Sequence, residues 1–174
     1  MSTGGNGRGS DAWFQPWTQL RIDRRSPGYC RATFDHPPTN AITTTTVVEL
    51  AELVALIEED VDLNVVVFDS AIPDFYLVGP MGTHAWVEVL ARLSRAPVVS
   101  IASIRGRVCE AGREFALACD LRFASREKSW RDDLVGLRMI ADDQLDGEVD
   151  AIAARLARLD HDAIARTKSH VDRL

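Results

Sequence analysis

Apolar positions along the chain follow two kinds of pattern. Leu63 to Phe68 (LNVVVF) and Pro97 to Ile104 (PVVSIASI) are short, almost wholly apolar runs, the look of strands covered on both faces. Cys119 to Ala124 reads as a third. Val47, Leu50, Val54 and Ile57 instead recur at spacings of three and four, the apolar stripe of a helix ending near Asp60. A run of four threonines, Thr43 to Thr46, stands before it, and any of these could cap it. His84 to Arg95 is a second helical segment. Gly106 to Gly112 reads as a loop, and Arg113 to Ala118 begins like a helix. Near the start, Trp17 to Arg25 alternates as a strand, Ser26-Pro27-Gly28 turns, and Tyr29 to Phe34 returns. His36-Pro37-Pro38 stops that strand.

Beyond Trp130 the character changes. Leu145 to Leu159 and His161 to Leu174 are helical, Asp160 is placed to cap between them, and no further strand is predicted. Strands alternating with helices imply right-handed β-α-β crossovers and an α/β layered domain. Residues 1–12 are rich in Gly, Ser and Asn and read as a disordered tail without the apolar stretch of a signal peptide. Residues 13–130 form the core, and 131–174 a C-terminal helical segment of the same domain.

With 174 residues, 46% of them hydrophobic, the chain can bury one core. Its formal charge of −6 and the lack of a basic stripe give no case for nucleic acid. No run is long and apolar enough to span a membrane. Three cysteines, Cys30, Cys109 and Cys119, form an odd, sparse set, which points to free thiols in a reducing cytoplasm. His36, His84, His161 and His170 lack zinc-ligand spacing, so no metal site is expected; His161 and His170 read as surface residues on a polar helix. The tryptophans and Met81 and Met139 read as packing residues.

Ile104 to Ala124, IRGRVCEAGREFALACDLRFA, is the segment where chemistry is concentrated. A loop of small residues runs from a buried strand into a helix, whose first N–H groups are unpaired and point forward. A developing negative oxygen would be stabilised there if a second donor converged on it. The loop around Phe75 to Gly79 also follows a buried strand and could supply that donor. Glu114, one turn into the helix, could move a proton. The same glutamate could equally be a first-turn carboxylate favoured by the helix dipole. The residues alone leave both readings open.

The segment resembles the second signature of the enoyl-CoA hydratase/isomerase (crotonase) family, a glycine-rich turn before a helix that carries a glutamate and the words "ELALACD". Here that reads Glu114-Phe115-Ala116-Leu117-Ala118-Cys119-Asp120. Asp35 to Ile42 (DHPPTNAI) resembles the family's "RPPxNAL". Val65 to Phe68 with Asp74 to Gly79 resembles its strand and first-donor loop, and Asp160 to Lys168 its last helix. The likeness runs in order from Trp17 to the end. It implies a spiral of β-β-α units, shortened and closed by C-terminal helices, that binds acyl-coenzyme A thioesters. By position, the backbone N–H groups of Val78 and Ala111 would form the oxyanion hole. Glu114 would be the first catalytic glutamate, and Asn40, Ala41 and Ile42 would border the coenzyme A adenine. No cofactor is implied beyond the coenzyme A that the substrate carries. The assembly implied is a trimer-based homo-oligomer, or a hetero-assembly with full-length relatives.

Three departures shape the expected activity. The family's second glutamate, in a "QPE" context, and the helices that close the acyl pocket are missing after Trp130, where Leu134 to Leu137 resembles a much later "GLVNR" segment. Asp132 and Asp133 do not match the absent glutamate. Glu110 stands where the family has glycine, placing negative charge beside an anion site and giving up glycine's freedom at positive φ. Pro80 and Met81 replace a polar or acidic residue after the first donor. The expectation is an acyl-CoA-binding protein of hydratase/isomerase type with reduced activity. The alternative is a non-catalytic remnant acting as an assembly or interaction partner. The missing segment is also expected to leave apolar core surface uncovered within the chain.

Overall fold

The computed structural model of the chain describes residues 13–75, 79, 83–129 and 134–171. The first twelve residues, and with them the expected tail, lie outside these. Six strands form one sheet in sequential order: β1 (Leu20–Ser26), β2 (Tyr29–Phe34), β3 (Val65–Ser70), β4 (Val99–Ile104), β5 (Leu121–Ser125) and β6 (Leu137–Ile140). β1 and β2 form an antiparallel hairpin, and every later neighbour is parallel. The helices are α1 (Thr44–Glu59), α2 (His84–Arg95), α3 (Glu110–Ala118), α4 (Leu145–Leu156) and α5 (His161–Val171).

The apolar runs form the central strands because parallel strands are covered on both faces. All of β2 and the first four residues of β3 are buried. Alternate residues of β3 enter different cores. Val66 and Phe68 join Leu50, Leu53, Val54 and Ile57 of α1 with Trp86 and Phe115 of α2 and α3. Val65 and Val67 join Leu145, Val149 and Ala153, spaced one turn apart on α4. The sheet is therefore sandwiched between α1–α3 and α4. The expectation of an uncovered core face is corrected here: α4 fills the second face from within the chain.

A second correction concerns β6. No strand was expected beyond Trp130, yet Leu137–Ile140 extends the sheet, pairing Phe123 with Arg138 and Ser125 with Ile140. The strand has four residues and sits at the sheet edge, with Ile140 its one buried residue. So short and half-exposed a run leaves too little periodicity to read. Only residues 126–136 lie between β5 and β6. The turn into α4 is fastened back by Arg105 at the end of β4, whose Nε donates to Asp142 at 3.0 Å and whose Nη1 donates to Asp146 at 2.9 Å. Lys128 adds a contact of 2.6 Å to Asp142, and this, ahead of the other bonds, holds the Asp142 carboxyl at about 2.

Thr43 is the threonine that caps α1, in a reciprocal box with Thr46. Asp160 caps α5, accepting from the Ala163 N–H at 2.8 Å. α5 docks at the start of the parallel strands. Lys168 Nζ donates to the Val98 carbonyl and to Asp120, both at 2.9 Å. His161, expected on the surface, is half-buried instead, with Nδ1 3.0 Å from the Leu63 carbonyl. Cys30 and Cys119 are buried free thiols pushed up in pKa by that burial, Cys30 to about 12. With α5 at one end, the carboxyl ends of β2, β3 and β4 are left to carry a site, the usual place in a parallel sheet.

Candidate active site

Three loops leave those carboxyl ends, and the structure ties them together. After β3, Phe75 forms an isolated parallel bridge with Val108, and its N–H donates to the Arg105 carbonyl at 2.7 Å. Beside the bridge, the Asp74 carboxylate accepts from the Arg107 N–H at 3.1 Å and from its Nη2 at 3.0 Å. The Arg107 backbone bond, more than the competing burial, draws the Asp74 carboxyl below its ordinary value. Gly106 makes this approach possible. Its φ is +71°, and a Cβ there would lie 2.2 Å from Asp74 Oδ1. Asp74 and Phe75, which precede the expected first donor, are thus tied to the loop that leads into α3.

The loop after β2 joins them. Gly79 packs so closely on Ile42 that a Cβ on Gly79 would meet the Ile42 Cβ at 2.5 Å. Asn40 has φ 49°, a left-handed conformation that asparagine tolerates. Its side chain accepts from the His36 N–H at 2.7 Å and donates to Ser70 Oγ at 2.8 Å and to the Phe34 carbonyl at 3.1 Å. Asn40 and Ile42 are buried, and Ala41 is partly exposed, its carbonyl taking a 3.2 Å bond from Thr46 Oγ1. The Asn40 side chain therefore shapes the loop, and Ala41 is its more open residue.

α3 begins at Glu110, not at Arg113. Cys109 is its N-cap, and the first helical bond runs from the Arg113 N–H to the Cys109 carbonyl at 2.8 Å. The N–H groups of Glu110, Ala111 and Gly112 accordingly have no acceptor within the helix. The earlier start follows from good N-terminal chemistry: a glutamate in the first turn is favoured by the dipole. Ala111 and Gly112 are buried, while Glu110 is exposed. Glu110 is not among the residues with positive φ. The expected loss of glycine's freedom there is therefore corrected, and charge is what this residue changes. Val78 falls outside the described residues, as do Pro80, Met81, Asp132 and Asp133.

Glu114 sits half-buried on α3, one turn from Ala111. Its Oε2 accepts from the indole Nε1 of Trp86, on α2, at 2.7 Å. Trp86 is 1% exposed and lies 6.4 Å from the Phe115 ring, at 29° between planes. Phe115 also meets Phe68 at 4.9 Å and Phe34 at 5.1 Å, edge to face. The aromatic cluster fixes the side of α3 opposite its exposed residues, and so fixes where Glu114 can point. Trp86 and Asp74 were not singled out for the site in the sequence. Their partners are 28 and 33 residues away, beyond any local pattern. A groove lined by Trp13, Phe14, Arg24, Leu56 and Asp60 lies at the other end of the sheet and holds none of these residues.

Taken together, a helix N-terminus, a locked neighbouring loop and one carboxylate can polarise a carbonyl and move a proton at its α-carbon. Known structures share this architecture. A Streptomyces avermitilis protein described as an enoyl-CoA hydratase superposes with TM-score 0.81 at 27% identity, over 90% of this chain and 78% of that one. An enoyl-CoA hydratase of Mycobacterium smegmatis gives 0.78 at 18% identity, over 90% of this chain and 83% of that one. DspI of Pseudomonas aeruginosa gives 0.77 at 20%, over 88% of this chain and 86% of that one. No curated protein sequence matches the chain. The enoyl-CoA hydratase/isomerase family model matches residues 24–143, well over half the chain. The fold is therefore the crotonase fold, and the chain belongs to the enoyl-CoA hydratase/isomerase family.

Proposed function

We propose that this protein binds acyl-CoA thioesters and is a hydratase/isomerase of reduced activity, better suited to proton transfer than to hydration. The observation that carries the reading is the locking of the post-β3 loop to the N-terminus of α3, with Glu114 one turn away. In this reading the N–H groups of Val78 and Ala111 polarise the thioester carbonyl. Glu114 takes the α-proton and returns one, while charge on the oxygen is held by those N–H groups. No cofactor is needed beyond the coenzyme A of the substrate, and the Asn40–Ile42 loop borders its adenine.

Hydration needs one carboxylate on the water and one to deliver the proton. The short link between β5 and β6 leaves no room for the segment that would bring the second. Isomer formation by a single moving proton needs only Glu114. Oligomers, trimer-based or mixed with full-length relatives, are part of the same proposal. Calorimetric titration with crotonyl-CoA tests the binding half of it, and a hydration assay the catalytic half. Binding without any turnover or proton exchange would favour the remnant acting as an assembly partner.

Glu110 supplies a graded check. It is exposed at the first turn of α3, so Glu110→Gln removes a charge near the proposed thioester and phosphates while leaving the backbone alone. Acyl-CoA affinity should rise by roughly threefold to fivefold at low salt, and the gain should fade as salt rises. Unchanged or weaker affinity at low salt would place Glu110 away from the ligand.

A further inference from the structure

We infer that Trp86 is a positioning residue for Glu114, holding one carboxylate oxygen so that the other is presented to the substrate. This rests on the proton-transfer role proposed for Glu114. The bond from Trp86 Nε1 to Glu114 Oε2 is 2.7 Å long and comes from a side chain that is 1% exposed. A buried, neutral donor suits this task. It fixes the rotamer of a flexible side chain without neutralising its charge, so the carboxylate stays a base. Among the described residues it is the one partner of the carboxylate, on Oε2, which leaves Oε1 to take the proton. The indole is itself held, stacked near Phe115 and carried on a helix whose cap, Thr83, accepts from the Trp86 N–H.

The placement along the chain adds to the argument. Residues 76–82, which carry the proposed first donor, are flanked on both sides by ties to the α3 segment. On one side Phe75 is bridged to Val108; on the other Trp86 is bonded to Glu114. Trp86 thus ties the carboxylate-bearing turn of α3 to the helix that follows those residues in the chain. Misplacing a reacting group by about 1 Å can cost on the order of a hundredfold in rate.

Trp86→Phe would remove the donor but also volume beside Phe115. The sharper variant replaces Trp86 with 3-benzothienylalanine, in which sulfur stands for the N–H and the shape is kept. The full-length protein is incubated with butyryl-CoA in deuterated buffer. Deuterium at the α-carbon is read by mass spectrometry and affinity by calorimetry. The expected result is affinity within about twofold of wild type and exchange slower by roughly tenfold to a hundredfold, with no exchange in Glu114→Gln. Exchange at the wild-type rate in the isostere, or a fall in affinity that matches the fall in rate, overturns the positioning role and leaves the role of Glu114 standing. Wild-type protein that binds but does not exchange, or exchange that survives Glu114→Gln, overturns the role of Glu114 and the inference built on it. The bond itself is read in nitrogen-15-labelled protein. The Trp86 indole N–H resonance should move in Glu114→Gln and on adding butyryl-CoA, and a resonance indifferent to both overturns the inference.

Discussion

Crotonyl-CoA hydration by this protein is expected to be very slow or undetectable, and Glu114→Gln is expected to abolish whatever remains. The two proposed oxyanion donors are backbone groups, so side-chain drift does not remove them. Glu114 is in place on α3, with one oxygen held by Trp86. By the family resemblance, the second carboxylate and the wall that would exclude water around it belong to a segment with no counterpart in this sequence after Trp130. One general acid–base is worth about 10²- to 10⁴-fold, so its loss alone puts hydration far below that of an ordinary hydratase. Glutamine keeps the shape of Glu114 and cannot take a proton. Turnover comparable to an ordinary hydratase would mean that another residue replaces the missing carboxylate. Residual turnover unchanged in Glu114→Gln would mean that Glu114 serves as a structural partner of Trp86 and not as a base.

The largest stability effect is expected at Glu49, away from the site. This α1 residue is 7% exposed. Its Oε1 accepts from the Thr18 N–H at 2.8 Å and the Thr18 hydroxyl at 2.6 Å; its Oε2 accepts from the N–H groups of Gln19 at 2.9 Å and Leu20 at 3.1 Å. It closes the start of β1 onto α1. In Glu49→Gln one pair of these donors faces an amide NH₂ instead of an oxygen. A loss of about 2–4 kcal/mol is expected, since a charge-assisted set is broken and donors are left unsatisfied.

Burial alone would raise the Glu49 carboxyl, but the bonds from Thr18, Gln19 and Leu20 outweigh it and bring it below the ordinary value. Its stabilisation is therefore fully present above the unfolded-state value, near about 4.3, and is lost as pH falls through the folded one. Urea unfolding across pH should show wild type and Glu49→Gln far apart at pH 7 and converging in acid. A constant gap down to the acid limit would mean that Glu49 acts by packing rather than by charge.

Legibility in the sequence followed the range of the interactions. Central strands and α1 could be read because burial on both faces, or on one stripe, writes itself into consecutive residues. The cap at Asp160 was readable for the same local reason. β6 was not, because four residues at an edge carry no period. The start of α3 was placed three residues late because Glu110 to Gly112 look like a turn until the Cys109 carbonyl is seen to accept from Arg113. Glu114 was legible through its motif, and its neighbours were not. Trp86, Asp74 and the Arg31–Asp69–Asp150 cluster, in which Arg31 bonds Asp150 at 2.9 Å, join residues far apart in the chain. Such long-range pairs depend on strand order, which no short window contains. Glu110 shows the converse: its charge could be read directly, whereas the backbone strain inferred with it is not there.

Titration of the full-length protein with crotonyl-CoA tests the central claim most directly. The account predicts saturable binding with one site per chain, in the range of about 1 μM to 1 mM, competed by free coenzyme A and weakened when Asp74→Ala removes the carboxylate tie between the two loops. No heat of binding up to millimolar crotonyl-CoA, from protein shown to be folded by its cooperative urea unfolding, would contradict it.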